Sequence, residues 1–254
     1  MIRAKSAEEL RGMRQAGAVV GDTLRLLREM IAPGIRTRAL AKEAERFIRS
    51  RGAVPTFKGY QGFPGAICIS INEEAVHGLP SWRKLREGDV VSVDVGATLN
   101  GYVGDSAITV GVGTISAQAR ALIDASRDGL HAAIDVARPG AHVGDLGAAV
   151  ESLVRARGFD IVQSYCGHGI GHALHEDPQV PNVGDVGTGP ILEPGWCLAI
   201  EPVITAGSAQ VIVEPDGWTV RTRDRSLAAH YELAIAITSA APEILSLTSR
   251  DELP

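Results

Sequence analysis

Four carboxylates interrupt apolar runs in this chain: Asp94 in VVSVDVG, Asp105 in GYVGDSAITV, Glu201 at the end of LAIE and Glu232 in HYELAIAIT. An ionised carboxylate in an apolar core is very costly unless a cation or a metal ion answers it. None of these runs holds a lysine or arginine. One such acid could point outward from a half-exposed strand; four at related positions call for a common partner. Two divalent cations would balance four carboxylates and remove the repulsion that otherwise forces protons onto them. A nitrogen donor stands ready in GHGIGHALH (167–175), which holds three of the seven histidines. The stretch lacks the glutamate of an H-E-x-x-H zinc helix, and Gly167, Gly169 and Gly171 oppose any helix there. It reads as a loop or strand end presenting imidazoles, with His168 as the nitrogen ligand of a dinuclear metal centre.

The elements that must position these groups occur twice. Ser6 and Glu9 form a capping box, and Leu10, Met13, Val20, Leu24, Leu27 and Ile31 follow at helical spacing until Pro33-Gly34 stops the helix. A second helix carries Leu40, Ala44, Phe47 and Ile48 to about Arg51. APGIRTRALAKEAERFIRSRG (32–52) then returns as RPGAHVGDLGAAVESLVRARG (138–158), with both the Pro-Gly and the Arg-Gly pairs displaced by 106 positions, after a helix over about Ser116 to Ala137. LREGDVVSVD (85–94) returns as LEPGWCLAIE (192–201), displaced by 107, so Asp94 and Glu201 are equivalent. Further strands are expected at Ala66–Ile71, Tyr102–Val110 and Tyr231–Thr238, with a hairpin from Asp89 to Val110 turning at Leu99-Asn100-Gly101. The expectation is one mixed α/β (α+β) catalytic domain over 1–254. Its halves, roughly 1–110 and 111–254, are related by a pseudo-two-fold around a mostly antiparallel sheet, with the equivalent acids meeting at the centre.

The 254 residues suffice for a large core, and a net charge of −5 with pI ≈ 5.8 and no basic stripe gives no drive toward nucleic acid or anionic membrane. The three cysteines, Cys68, Cys166 and Cys197, show no CxxC spacing, which fits a reducing compartment. No stretch reads as a signal peptide or membrane span. A soluble cytoplasmic protein is expected.

Five stretches together give the chain a family resemblance: YQGFPGAICISINEEAVHGLP (60–80), DVGATLNGYVGD (94–105), GHGIGHALHE (167–176), LEPGWCLAIEP (192–202) and HYELAI (230–235). The sequence resembles the type I methionine aminopeptidases of the bacterial kind over essentially its whole length. The resemblance implies the two-halved pita-bread fold and removal of N-terminal methionine by a dinuclear metal centre. It implies Asp94, Asp105, His168, Glu201 and Glu232 as ligands, with Asp105 and Glu232 bridging, Asp94 chelating one ion, and His168 with Glu201 completing the other. Such ligation suits Mn, Fe, Co or Zn alike. Glu201 becomes the candidate general base, and His77 and His175 match the two histidines that flank the substrate. Phe57, Tyr60, Phe63, Cys68, Leu174 and Trp218 match the lining of the methionine pocket, whereas His172 matches no such role and reads as structural or solvent-facing.

Three residues depart from the common pattern. Gln61 stands for a frequent histidine, Leu174 for a frequent phenylalanine, and Ala228 for a frequent serine near a monovalent-cation site, which puts pocket shape and that cation in question. The implied partners are N-terminal methionyl peptides and nascent chains, met by a monomer that visits the ribosome transiently. The chain shows neither the zinc-finger extension of many eukaryotic type I enzymes nor the insertion of the type II class. Rival readings are an Xaa-Pro peptidase of the same fold, a non-catalytic pita-bread binding protein and, more remotely, a dinuclear phosphoesterase.

Overall fold

The computed structural model describes residues 2–246. Two helices open each half: α1 (Ala7–Met30) and α2 (Thr37–Ser50), then α3 (Ala117–Val136) and α4 (Val143–Ala156). The first half carries β1 (Val54–Pro55), β2 (Cys68–Ile71), β3 (Glu74–Val76), β4 (Val90–Leu99) and β5 (Tyr102–Gly111). The second carries β6 (Asp160–Ile161), β7 (Gly167–Gly169), β8 (Glu176–Val180), β9 (Cys197–Ile200), β10 (Val203–Thr205), β11 (Val211–Val213), β12 (Val220–Thr222), β13 (Ala228–His230), β14 (Glu232–Ala236) and β15 (Glu243–Ile244). A nine-stranded sheet in the order β1-β4-β5-β14-β9-β7-β8, with β2 beside β4 and β15 beside β14, joins the halves at β5–β14. Two three-stranded sheets, β13-β10-β6 and β11-β12-β3, complete the described residues.

α1 begins where sequence chemistry places it. The Ser6 side chain accepts from Glu9 N–H, and Glu9 accepts from Ser6 N–H in return. Met13, Ala16, Val20, Leu24 and Leu27 are buried along one stripe that packs on β4 and β5. The approach is close: a Cβ on Gly104 would lie 2.7 Å from the backbone nitrogen of Gly17, so only glycine fits there. Successive strand residues point to opposite faces. Gly104 faces the helix, and Asp105 therefore faces away from it, toward the side where the other acids lie.

The duplication is visible as repeated pairing. The bridges Arg36↔Lys84 and His142↔Ile191 recur at offsets of 106 and 107, and Val54↔Thr98 recurs as Asp160↔Thr205. In the first hairpin Gly96 pairs with Asp105; in the second, Val203 pairs with His230. The offset of 107 carries Gly96 to Val203, so the counterpart of Asp105 is His230. Glu232, two residues on, is the counterpart of Ala107, and across the β5–β14 junction Glu232 pairs with Ala107 itself. The pseudo-two-fold axis thus passes between these two residues. The equivalence of Asp94 and Glu201 holds, but Asp105 and Glu232 are not related by the symmetry.

The second half also breaks a strand that the first keeps whole. β4 runs unbroken for ten residues, whereas β9 ends at Ile200 and β10 starts at Val203. Pro202 has no N–H for a ladder, so the chain kinks at Glu201-Pro202. Elsewhere the strands are shorter than periodicity suggests. Cys68–Ile71 replaces Ala66–Ile71, and Glu232–Ala236 replaces Tyr231–Thr238. Tyr231 is the residue at which the chain passes from β13, paired with β10, to β14, paired with β5 and β9, and its buried phenol donates to the Thr109 carbonyl at 2.8 Å.

Candidate metal centre

Asp94 on β4 pairs with Ala107, and Asp105 on β5 pairs with Gly96, so the two acids share one face as diagonal neighbours. Glu232 enters from β14 and Glu201 from the kink after β9. His168 sits on β7, paired with Ala199 of β9. Asp105 and Glu232 are each 3% exposed and His168 7%. One ligand atom from each of these three lies within 4.8 Å of the others, a geometry able to hold a metal ion. The His168 Nε2 is 3.9 Å from Asp105 Oδ2 and 3.5 Å from Glu201 Oε1. Its Nδ1 lies 2.9 Å from the Gly169 carbonyl, a partner that takes the ring proton and leaves the Nε2 lone pair facing the acids.

The electrostatics call for cations. Burial raises Asp94 to about 7. Burial, then Asp94 and Glu201, push Asp105 far above the usual carboxylate range. Glu201 is raised by burial and then Asp94, and Glu232 by burial and then Asp105, Glu201 and Asp94. Burial, and secondarily His175, pushes His168 down to about 4, which keeps it neutral and ligand-competent near pH 7. Asp94 Oδ1, Asp105 Oδ1 and Glu232 Oε1 are buried without any hydrogen-bond partner. Buried acceptors are rarely left so, and a divalent ion is the partner that fits an oxygen-rich set with one imidazole.

The cluster floors a cavity of ≈ 140 Å³ lined by Asp94, Asp105, His168, Glu201, Glu232, His77, His175, Phe57, Tyr60, Phe63, Cys68, Leu174 and Trp218, together with Gln61. Every candidate site residue of the sequence therefore meets in one place. His77 follows β3 at φ 57, a left-handed conformation uncommon outside glycine. Its ring packs edge-on against Tyr165 at 5.3 Å. His175 Nδ1 lies 2.7 Å from the Tyr60 hydroxyl, and its ring meets that of His168 at 4.3 Å. Burial lowers both: His77 first by burial and then by His175, His175 by burial alone. Phe57, Phe63, Cys68 and Leu174 belong to a small apolar cluster with Tyr60 and Trp218 packed on it, and Trp218 meets Phe63 edge-on at 5.1 Å.

His172 lies outside the cavity lining, its Nδ1 2.8 Å from the Gly101 carbonyl and its ring 4.7 Å from that of Tyr102. Ala228 is buried on β13, its N–H donating to the Asn72 carbonyl at 2.8 Å; its methyl brings no oxygen to a cation.

Two residues escaped sequence reasoning. His230 is 2% exposed, with its Nε2 unpartnered, 3.8 Å from Glu201 Oε2 and 4.0 Å from Glu232 Oε2. Its place two residues before Glu232, on the same strand face, was the available signal. Asn182 is 2% exposed and donates from Nδ2 to the carbonyls of Glu201 at 3.0 Å and Tyr165 at 3.3 Å, so a side-chain amide serves the Glu201 carbonyl at the kink. Nothing in the neighbouring sequence marks it.

Comparison with known proteins agrees with this geometry. A model of metallopeptidase family M24 matches residues 11–239. The chain is 47% identical over 246 residues to methionine aminopeptidase 1 of Bacillus subtilis (strain 168), covering 97% of this chain and 99% of that one. It superposes with a TM-score of 0.96 on a methionine aminopeptidase from Rickettsia prowazekii at 38% identity, covering 97% of this chain and 100% of that one. A prolidase from Pyrococcus furiosus shares the fold, with a TM-score of 0.77 at 23% identity, but only 66% of that chain is covered by 97% of this one.

Proposed function

This chain belongs to metallopeptidase family M24, and from that premise we infer that it removes N-terminal methionine from peptides and nascent proteins by metal-dependent hydrolysis, as a type I methionine aminopeptidase with the pita-bread fold. The observation that carries the reading is the convergence of buried, unpartnered carboxylate oxygens and a neutral imidazole on the floor of an aromatic-walled cavity.

The ligand set we propose is Asp94, Asp105, His168, Glu201 and Glu232, holding two divalent ions. Its acids, charged −4 when ionised, are answered by a total of +4. Bound there, the ions supply Lewis acidity that acidifies a water to near-neutral pKa and polarises the scissile carbonyl. Glu201, at a kink open to the cavity, carries the proton from the attacking water to the departing amine as the peptide C–N bond breaks. His77 and His175 donate hydrogen bonds to the substrate peptide and to the oxyanion that develops on its carbonyl. Phe57, Tyr60, Phe63, Cys68, Leu174 and Trp218 enclose the methionine side chain, a long thioether that suits an apolar wall.

The single catalytic unit spans 1–254, because candidate ligands come from both halves. The enzyme acts as a monomer in the cytoplasm, meeting chains as they leave the ribosome. Among the described residues no helix is long and apolar enough to cross a membrane. The decisive test is turnover of a Met-Ala-Ser peptide by the chelator-stripped chain, then with Mn, Fe, Co or Zn added singly. No turnover with any ion overturns the reading, and a preference for Xaa-Pro peptides moves it to the prolidase branch.

A further inference from the structure

The cavity wall that carries Leu174 and His175 is fastened by the chain's own N-terminal segment. Lys5 is 8% exposed, and its Nζ lies 2.6 Å from Glu176 Oε2, the residue next to His175. The other oxygen, Oε1, accepts from the backbone N–H groups of His172 at 2.8 Å and Ala173 at 3.2 Å, which folds residues 172–176 back on the carboxylate. Burial favours the neutral form of Glu176, but Lys5 and the two N–H donors outweigh it and hold the acid below its ordinary value. Lys5 is itself fixed: its N–H donates to the Gly195 carbonyl at 2.7 Å, two residues before β9. Gly171 makes room for it, since a Cβ there would stand 2.5 Å from Lys5 Cε and 2.6 Å from Glu176 Oε1. From the far side, Val103 N–H donates to the Gly171 carbonyl at 2.8 Å.

We propose that Lys5 is a positioning residue for hydrolysis: through Glu176 it sets the turn that aims His175 and Leu174 into the cavity. The proposal rests on the reading of His175 as a group that faces the substrate. Neither Lys5 nor Glu176 lines the cavity or joins the metal cluster, so the effect reaches the reaction through geometry, where a displacement of about 1 Å can cost about a hundredfold in rate.

The test uses the full-length chain with saturating metal and a Met-Ala-Ser peptide, comparing Lys5→Met, Lys5→Arg, Glu176→Gln and His175→Ala. Metal affinity is measured by calorimetry and folding by thermal unfolding. Lys5→Met is expected to lower kcat at least tenfold, with KM and metal affinity within about twofold of the parent, and Lys5→Arg to recover most of the loss. If Lys5→Met does not accumulate as folded protein, Glu176→Gln, which keeps the side chain's size and removes its charge, is read against the same thresholds. Parent-like kcat in the variant so read, beside a crippled His175→Ala, overturns the proposal and leaves the function standing. A loss of rate matched by a loss of metal affinity also overturns it, because the pair would then support the whole site rather than its wall. A parent-like His175→Ala overturns the reading beneath.

Discussion

Glu232 pairs across the central sheet with Ala107, the residue that is its own counterpart in the other half of the fold. One carboxylate therefore stands beside the axis relating the halves, and that axis relates Asp94 to Glu201.

Removing the acid beside the axis should separate function from stability. Glu232→Gln is expected to lower kcat/KM by more than about a hundredfold, since even the outer partners of metal ligands are worth about 10–100-fold. The chelated variant should melt no lower than the chelated parent, because burial and the neighbouring acids already favour the uncharged form of Glu232, for which the amide stands in. Peptide turnover and differential scanning calorimetry in chelator give the two readouts.

Asp94 should cost the metal-free chain stability as pH rises. Burial lifts Asp94 from 3.8 to about 7, so between those values the folded chain retains a proton that the unfolded chain has released. Burial holds His168 down at about 4 and His230 at about 3, which acts in the opposite sense, so the readout isolates Asp94. In chelator, the Tm of Asp94→Asn relative to the parent should rise between pH 4 and 7 by at least about 2–4 °C, the shift that each kcal/mol makes in a domain of this size. A difference that stays constant or shrinks over that window would contradict the account.

Tyr60→Phe tests the support of His175. The phenol lies 2.7 Å from His175 Nδ1, and losing one such hydrogen bond is worth about 1 kcal/mol, or roughly fivefold in kcat. Metal stoichiometry should not change. His175→Ala should cost about 100-fold or more, the size of effect seen when an oxyanion donor is lost.

Asn182→Ala removes the donor to the carbonyls of Glu201 and Tyr165. Leaving buried acceptors unmatched costs about 1–3 kcal/mol, so denaturant unfolding should register a loss in that range. Turnover should fall with it, because the kink that aims Glu201 is loosened.

Much of this was legible in the sequence because the signals were local or repeated. The capping box at Ser6 and Glu9 and the Pro-Gly stop are local signals that place α1 closely. The end of α2 and the helix expected over about Ser116 to Ala137 are placed as closely, and the 106-residue offset marks 138–158 as the repeat of 32–52. The acids stood out as charges in apolar strands. What remained hidden depended on pairing register. That Asp105 answers to His230 and not to Glu232 follows only from knowing Gly96↔Asp105 and Val203↔His230. The role of Asn182 was equally invisible, since it serves a carbonyl 19 residues away. Lys5 is 171 residues from Glu176, and no periodicity connects them.

The axial pairing of Ala107 with Glu232 bears on how such a centre can arise. In a homodimer of half-length chains every substitution is made twice, so a dyad position would present either two alanines or two glutamates to each other. Joining the halves in one polypeptide lets the two copies diverge, alanine on one side and a carboxylate on the other, aspartate at 105 and histidine at 230. The unequal residues at these equivalent positions depend on both halves sharing one polypeptide, because two identical separate halves could not supply them.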